Sequence, residues 1–158
     1  MNGIHHYSLT TKWTGNLGTG TDHYRTYERS HTITVDGKPE IFASSDPAFR
    51  GDATKHNPED LLIAALSGCH MLSYLHVCVQ NGIVVTAYED RATGTMVVDP
   101  DGSGHFMEVT LHPVVTITDK ALIDKANALH HRANQLCFIA NSCNFPINHS
   151  PVCNTSEN

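Results

Sequence analysis

The stretch Asn57-Pro58-Glu59-Asp60-Leu61-Leu62-Ile63-Ala64-Ala65-Leu66-Ser67-Gly68-Cys69 decides how the rest of the chain is read. Pro58 suits a first helical turn, where its missing N–H is one that has no intrahelical partner, and Asn57 before it has N-cap chemistry. Glu59 and Asp60 then face the positive end of the helix dipole. The pattern predicts a helix from Pro58 to about Gln80, stopped by Asn81-Gly82. Leu61 to Val79 carries no formal charge and is long enough to raise the question of a bilayer span. Ser67, His70, Ser73 and His76 interrupt that run, and two acids stand directly before it. It is therefore read as the core helix of a soluble protein, apolar nearly all round because it is buried nearly all round.

Strand patterns lie on both sides. Ser8 to Trp13 and Tyr24 to Val35 are rich in Thr, Tyr, Ile and Val; Asp36-Gly37 supplies a hairpin turn before Glu40 to Ser44. Ser45 to Asn57 has the composition of a loop. After the helix, Val84 to Asp99 and His105 to Thr118 flank Pro100-Asp101-Gly102 as a hairpin. Met107, Val109, Leu111, Val115 and Ile117 are expected on its inner face, with Glu108, Thr110 and Thr116 on the other. Thr118 is placed as the cap of a second helix, in which Leu122, Ala126, Leu129, Ala133 and Leu136 recur at helical spacing. Cys137 to Cys143 reads as a short helical piece and Phe145 to Val152 as a final strand. This order is an α+β arrangement, and one domain over residues 1–158 is expected.

Composition excludes several functions. With 10 Lys and Arg against 16 Asp and Glu the formal charge is −6, the wrong sign for a nucleic-acid partner. No glycine-rich loop leads from a strand into a helix, so nucleotide binding falls away. The start, Met1 to Tyr7, lacks the basic flank and apolar region of a targeting signal, and no membrane association is expected. Five cysteines without regular close spacing do not make a secreted disulfide framework, which points to a reducing, cytoplasmic compartment. Twelve histidines invite a metal, but there is no Cys-x-x-Cys, and His76 and Cys78 point apart on a helix. His130 and His131 are read as solvated on the wet side of the second helix, and no metal or other cofactor is expected.

The Asn-Pro-Glu opening, the Ala-rich turn and a cysteine ten residues beyond the glutamate resemble the helix signature of the OsmC/Ohr family, the osmotically inducible protein C and organic hydroperoxide resistance proteins. Cys137-Phe138-Ile139-Ala140-Asn141-Ser142 looks like the family's second signature, a cysteine shortly after a long helix. Two positions depart from the pattern: His70 replaces the aromatic that follows the first cysteine in many relatives, and Phe138 replaces the proline that follows the second. His70 points about 100° away from Cys69 on a helix, which favours a satisfied polar contact over a catalytic base.

The resemblance implies an OsmC-like fold, antiparallel sheets wrapped around a long buried central helix in an intertwined homodimer. It also implies a thiol peroxidase for organic hydroperoxides, Cys69 peroxidatic and Cys137 resolving, recharged by an external dithiol reductant. Cys143 remains an alternative resolving thiol. An arginine oriented by Glu59 would hold the Cys69 thiolate; Arg50 is the matched residue, with Arg25 and Arg29 as alternatives. The rival function on the same fold is a redox sensor or apolar-ligand binder without turnover. Leu62, Leu66 and Leu72 around Cys69 would favour a hydrocarbon substrate. Glu59 and Cys69 lie about 15 Å apart along a continuous helix, so either the helix breaks or Glu59 serves the Cys69 of a second subunit.

Overall fold

The structure, a computed structural model, describes residues 3–155. The ends of the expected domain, residues 1–2 and 156–158, lie outside the described residues. The chain divides between Leu61 and Leu62 into two compact units.

The first unit holds an antiparallel meander of β1 (Thr10–Trp13), β2 (His31–Thr34) and β3 (Ile41–Ala43). Gly37, at φ 72°, and the bond from Lys38 N to Val35 O make the expected turn. The long strand expected from Tyr24 is corrected to its C-terminal part. Arg29 Nη1 donates to the carbonyls of Tyr24 and Tyr27, which curls that backbone into a turn. Trp13 Nε1 donates to Glu28 O at 2.8 Å, and its ring meets Tyr27 edge-on. In the following loop, Asp46 caps a single 3-10 turn, Pro47–Phe49, which Arg50 ends in the left-handed region at φ 66°.

The helix α1 (Pro58–Gln80) is unbroken. Asn57 Oδ1 accepts from Asp60 N at 2.7 Å while Asn57 N donates back to the Asp60 carboxylate, a reciprocal cap. At the other end Gly82, at φ 70°, lets Ile83 N reach Cys78 O. Leu66, His70, Tyr74, Val77 and Cys78 form one buried stripe. Burial nearly all round is corrected: Ala64, Ala65 and His76 are exposed, as are Leu72 (65%) and Val79 (78%), because one chain covers one side of this helix. By length and composition α1 also meets the requirement for a bilayer span, yet its polar inward residues are bonded within the protein's own core.

The second unit adds β4 (Val85–Asp90), β5 (Thr93–Val98), β6 (Gly104–Leu111), β7 (Pro113–Ile117), α2 (Ile123–Leu136), β8 (Ile147–His149) and β9 (Val152–Thr155). The strands form two sheets, ordered β4-β7-β9 and β5-β6-β8. The expected two-strand hairpin is therefore corrected: each arm breaks, at Arg91-Ala92 and at His112, and crosses from one sheet to the other. His112 N bonds to Asp90 Oδ1 at 2.7 Å, and Pro113 has no N–H to continue the ladder. The expected final strand is likewise two, split at Ser150-Pro151. They pair in parallel with β6 and β7, so the sheets are mixed rather than purely antiparallel.

Val109, Leu111, Val115 and Ile117 are buried as expected, each contributing about 1.5–3 kcal/mol. Met107 is not, at 54% exposure: the register passes from Thr95↔Glu108 to Met96↔Phe106, and this bulge turns Phe106 toward the core and Met107 out. The cap of the second helical stretch is Asp119 rather than Thr118. Its carboxylate takes Ala121 N at the head of a 3-10 turn, Lys120–Leu122, that runs into α2, whereas Thr118 N bonds to Val84 O.

Candidate active site

Cys69 lies half-buried in the middle of α1, and Cys137 is the buried C-terminal cap of α2. The second unit brings these two thiols side by side. Burial pushes the Cys137 thiol up to about 11, and the neighbouring Cys69 adds to the rise, while the backbone N–H groups of Ala140 and Ile139 oppose it. Cys137 thus remains a protonated thiol at neutral pH, and Cys69 is the more accessible sulfur of the pair. Cys143 donates to Ile139 O and packs beside Leu66, Val109 and Leu111; Cys78 and Cys153 belong to a separate core cluster with Tyr74. All five cysteines are free.

Two sets of bonds hold α1 at this point. Ser67 Oγ donates to Asp90 Oδ2 at 2.5 Å, fixing the turn that carries Cys69 to the end of β4. Across to α2 run three further links: Lys125 Nζ to Asn81 O, Tyr74 OH to Ala126 O, and His70 Nε2 to His130 Nδ1 at 3.0 Å. Their reversed order shows that the two helices run antiparallel, and the thiol pair follows as the next link in the series.

The buried histidines were not foreseen. His130 is fully buried, not solvated beside the exposed His131, because its ring stacks on Tyr74 at 3.8 Å and bonds to His70. The signal was present: Ala126, His130 and Ala133 share the helical spacing of the buried face. Burial first and His149 second depress His70 to about 4, with Asp90 acting in the opposite sense. Burial, then His70 and His149, bring His130 to about 3. His149, lowered by burial and then by His131, stacks on His70 from β8. All three rings are neutral at pH 7. Among the described residues no group of three or more His, Cys, Asp or Glu is arranged to hold a metal ion.

The expected apolar neighbours of Cys69 separate: Leu66 and Leu62 belong to the core, and Leu72 faces outward. Glu59 and Arg50 belong to the first unit. Glu59 Oε2 is buried and has no hydrogen-bond partner among the described residues. The Arg50 guanidinium lies 5.6 Å from the Tyr24 ring centre and makes no ion pair among the described residues. Arg29 is already occupied by two carbonyls and by the Tyr27 ring, 4.2 Å away.

Residues 51–151 match the family model described as OsmC-like protein. The chain belongs to the OsmC-like family. The resemblance carried by Asn57 to Cys69 and by the Cys137 segment is thereby borne out, and so is the α+β fold. An OsmC-like protein of unknown function from Vibrio cholerae superposes with a TM-score of 0.84 at 29% identity, covering 94% of this chain and 100% of that one. Two more distant OsmC-like folds are organic hydroperoxide resistance proteins. The one from Elizabethkingia anophelis has 20% identity, coverage of 99% and 100%, and a TM-score of 0.68. The one from Legionella pneumophila has 17% identity, coverage of 94% and 97%, and a TM-score of 0.64. No curated protein sequence matches the chain.

Proposed function

We propose that this OsmC-like protein is a cysteine-based peroxidase that reduces organic hydroperoxides, with Cys69 as the attacking sulfur and Cys137 as the resolving one. The adjacent, unequally buried thiols of Cys69 and Cys137 carry this reading. The name organic hydroperoxide resistance protein, borne by two relatives of the same fold, supports the substrate class.

The Cys69 thiolate attacks the terminal oxygen of the hydroperoxide. The O–O bond breaks, the alkoxide leaves and takes up a proton as the alcohol, and Cys69 becomes a sulfenic acid. The Cys137 sulfur then displaces the hydroxyl; its own proton leaves with that hydroxyl as water, and a Cys69–Cys137 disulfide forms. A dithiol restores both thiols by two exchanges and is itself oxidised to a disulfide. No bound cofactor is part of this cycle, and free thiols suit a reducing, cytoplasmic compartment.

A cation must favour the Cys69 thiolate, because a mid-helix position gives it little help from the helix dipole. Arg50 fills that role in this proposal, oriented by Glu59. The unbroken α1 puts Glu59 and Cys69 about 15 Å apart in rise, so Glu59 serves the Cys69 of a second copy in a homodimer. The unpartnered Glu59 Oε2 and the exposed apolar face at Leu72 and Val79 support that assembly. Consumption of cumene hydroperoxide with dithiothreitol present is the deciding experiment: the native chain should turn over and Cys69→Ser should not. A native chain that consumes no hydroperoxide overturns the proposal.

A further inference from the structure

We infer that the buried pair His70 and His130 is a positioning element that sets the approach of Cys69 to Cys137, and thereby how readily the two thiols close into a disulfide; this rests on the thiol-pair reading above. His70 directly follows Cys69 on α1, and His130 stands two turns before Cys137 on α2. Their 3.0 Å bond is the link between the helices closest to the thiols. Both rings are fully buried and stacked between Tyr74 on one side and His149 on the other, so neither can swing.

Stability alone does not explain this pair. His70 Nδ1 and His130 Nε2 are buried without partners among the described residues, and each such nitrogen costs about 1–3 kcal/mol. Two well-packed apolar side chains would bridge the helices without that cost. What an apolar pair would not supply is a fixed register: a bond between two ring nitrogens exists at one relative sliding position of the helices and is lost about 1 Å away from it. Disulfide closure demands such control, since the two Cα atoms must come within a window of about 4.4–6.8 Å. The groups facing the pair leave it neutral and intact at pH 7. These are Tyr74 on α1, Asp90 on β4, and His149 on β8, itself faced by His131.

The test equilibrates the full-length chain with mixtures of reduced and oxidised glutathione at pH 7 and quantifies the Cys69–Cys137 disulfide, with no hydroperoxide present. His130→Phe keeps the ring and deletes the bond. Its disulfide constant should fall about tenfold, roughly one net hydrogen bond and about 30 mV in potential. His70→Phe, made independently, should shift the constant in the same direction. His130→Asn and His70→Gln place an amide where the bonded ring nitrogen was and should restore the constant to near the native value. Tyr74→Phe, which removes the neighbouring link to Ala126, should leave it unchanged. A native constant in either Phe variant, no rescue by the amides, or an equal shift in Tyr74→Phe would each refute the positioning role while leaving the peroxidase proposal standing. A native chain that forms no Cys69–Cys137 disulfide at any glutathione ratio would overturn both.

Discussion

Ser67 Oγ donates to Asp90 Oδ2 at 2.5 Å, while Oδ1 of the same carboxylate accepts from His112 N at 2.7 Å. One side chain therefore ties α1, two residues before Cys69, to the corner where both arms of the long hairpin change sheets. Ser67→Ala removes a hydrogen bond to a charged group in a half-buried place, and a loss of about 1.5–3 kcal/mol is expected. It should appear as a lower urea midpoint at unchanged slope. An unchanged midpoint would show that His112 N alone satisfies the carboxylate.

One equivalent of hydroperoxide should convert the reduced chain to a single species bridged between Cys69 and Cys137, identifiable by mass mapping of peptides. Cys143 is the competitor by sequence proximity, but its thiol bonds to Ile139 O and sits in an apolar cluster. A Cys69–Cys143 bridge would remove Cys137 from the resolving role.

Arg50→Ala should slow alkylation of Cys69 at neutral pH, because the thiolate is the reacting form and a neighbouring cation favours it. The urea midpoint should hold within about 0.5 kcal/mol, since a loop arginine lying beside a tyrosine ring contributes little to the core. An unchanged rate would transfer the role to Arg25 ahead of Arg29, whose guanidinium is held by the carbonyls of Tyr24 and Tyr27.

Protomers carrying Cys69→Ser and Glu59→Ala, each inactive alone, should regain activity when co-expressed as heterodimers. One of the two sites then receives a native Cys69 from one chain and a native Glu59 from the other. No recovery, or a monomer at micromolar concentration, would show that Glu59 acts within its own chain or not at all.

Acid should weaken the fold earlier than its carboxylates would suggest. His70 and His130 are depressed from 6.5 to about 4 and about 3, so the unfolded chain binds more protons between those values and 6.5. The stability they hold is complete above pH 6.5 and drains as pH falls through that interval, by up to about 1.4 kcal/mol per pH unit for each ring. Urea midpoints at pH 7, 6 and 5 should trace the decline, and His70→Gln should make it shallower, leaving the share that His130 contributes. A native midpoint that stays level across this range would contradict the neutral, buried state of the pair.

The helix from Pro58 to Gln80 was legible because its start, stop and apolar content are local. Asn57, Asp60 and Gly82 act within one turn of their own positions. The breaks at Arg91-Ala92 and His112 were not legible, because they depend on Asp90 reaching a backbone N–H 22 residues away; at Ser150-Pro151 the signal was present, since Pro151 has no N–H for a ladder. Met107 was misplaced for a related reason, since a bulge is a property of two paired strands. His130 was assigned to water on residue type, although its spacing matched the buried alanines; the partner that makes burial tolerable lies 60 residues distant. The two thiols were singled out by resemblance, and spacing along the chain alone would not have paired Cys69 with Cys137 over Cys143.

Trp13 is the one tryptophan of the sequence, and it sits in the meander of the first unit with its indole N–H on Glu28 O. The thiols, the stacked histidines and Tyr74 all sit in the second. Intrinsic fluorescence excited at the red edge of the absorption band therefore follows the surroundings of Trp13 in the first unit. Ellipticity of the helices reports chiefly on the second. The protein thus carries two separate optical gauges, and whether their melting curves coincide is a direct measure of how tightly the two units share one cooperative transition.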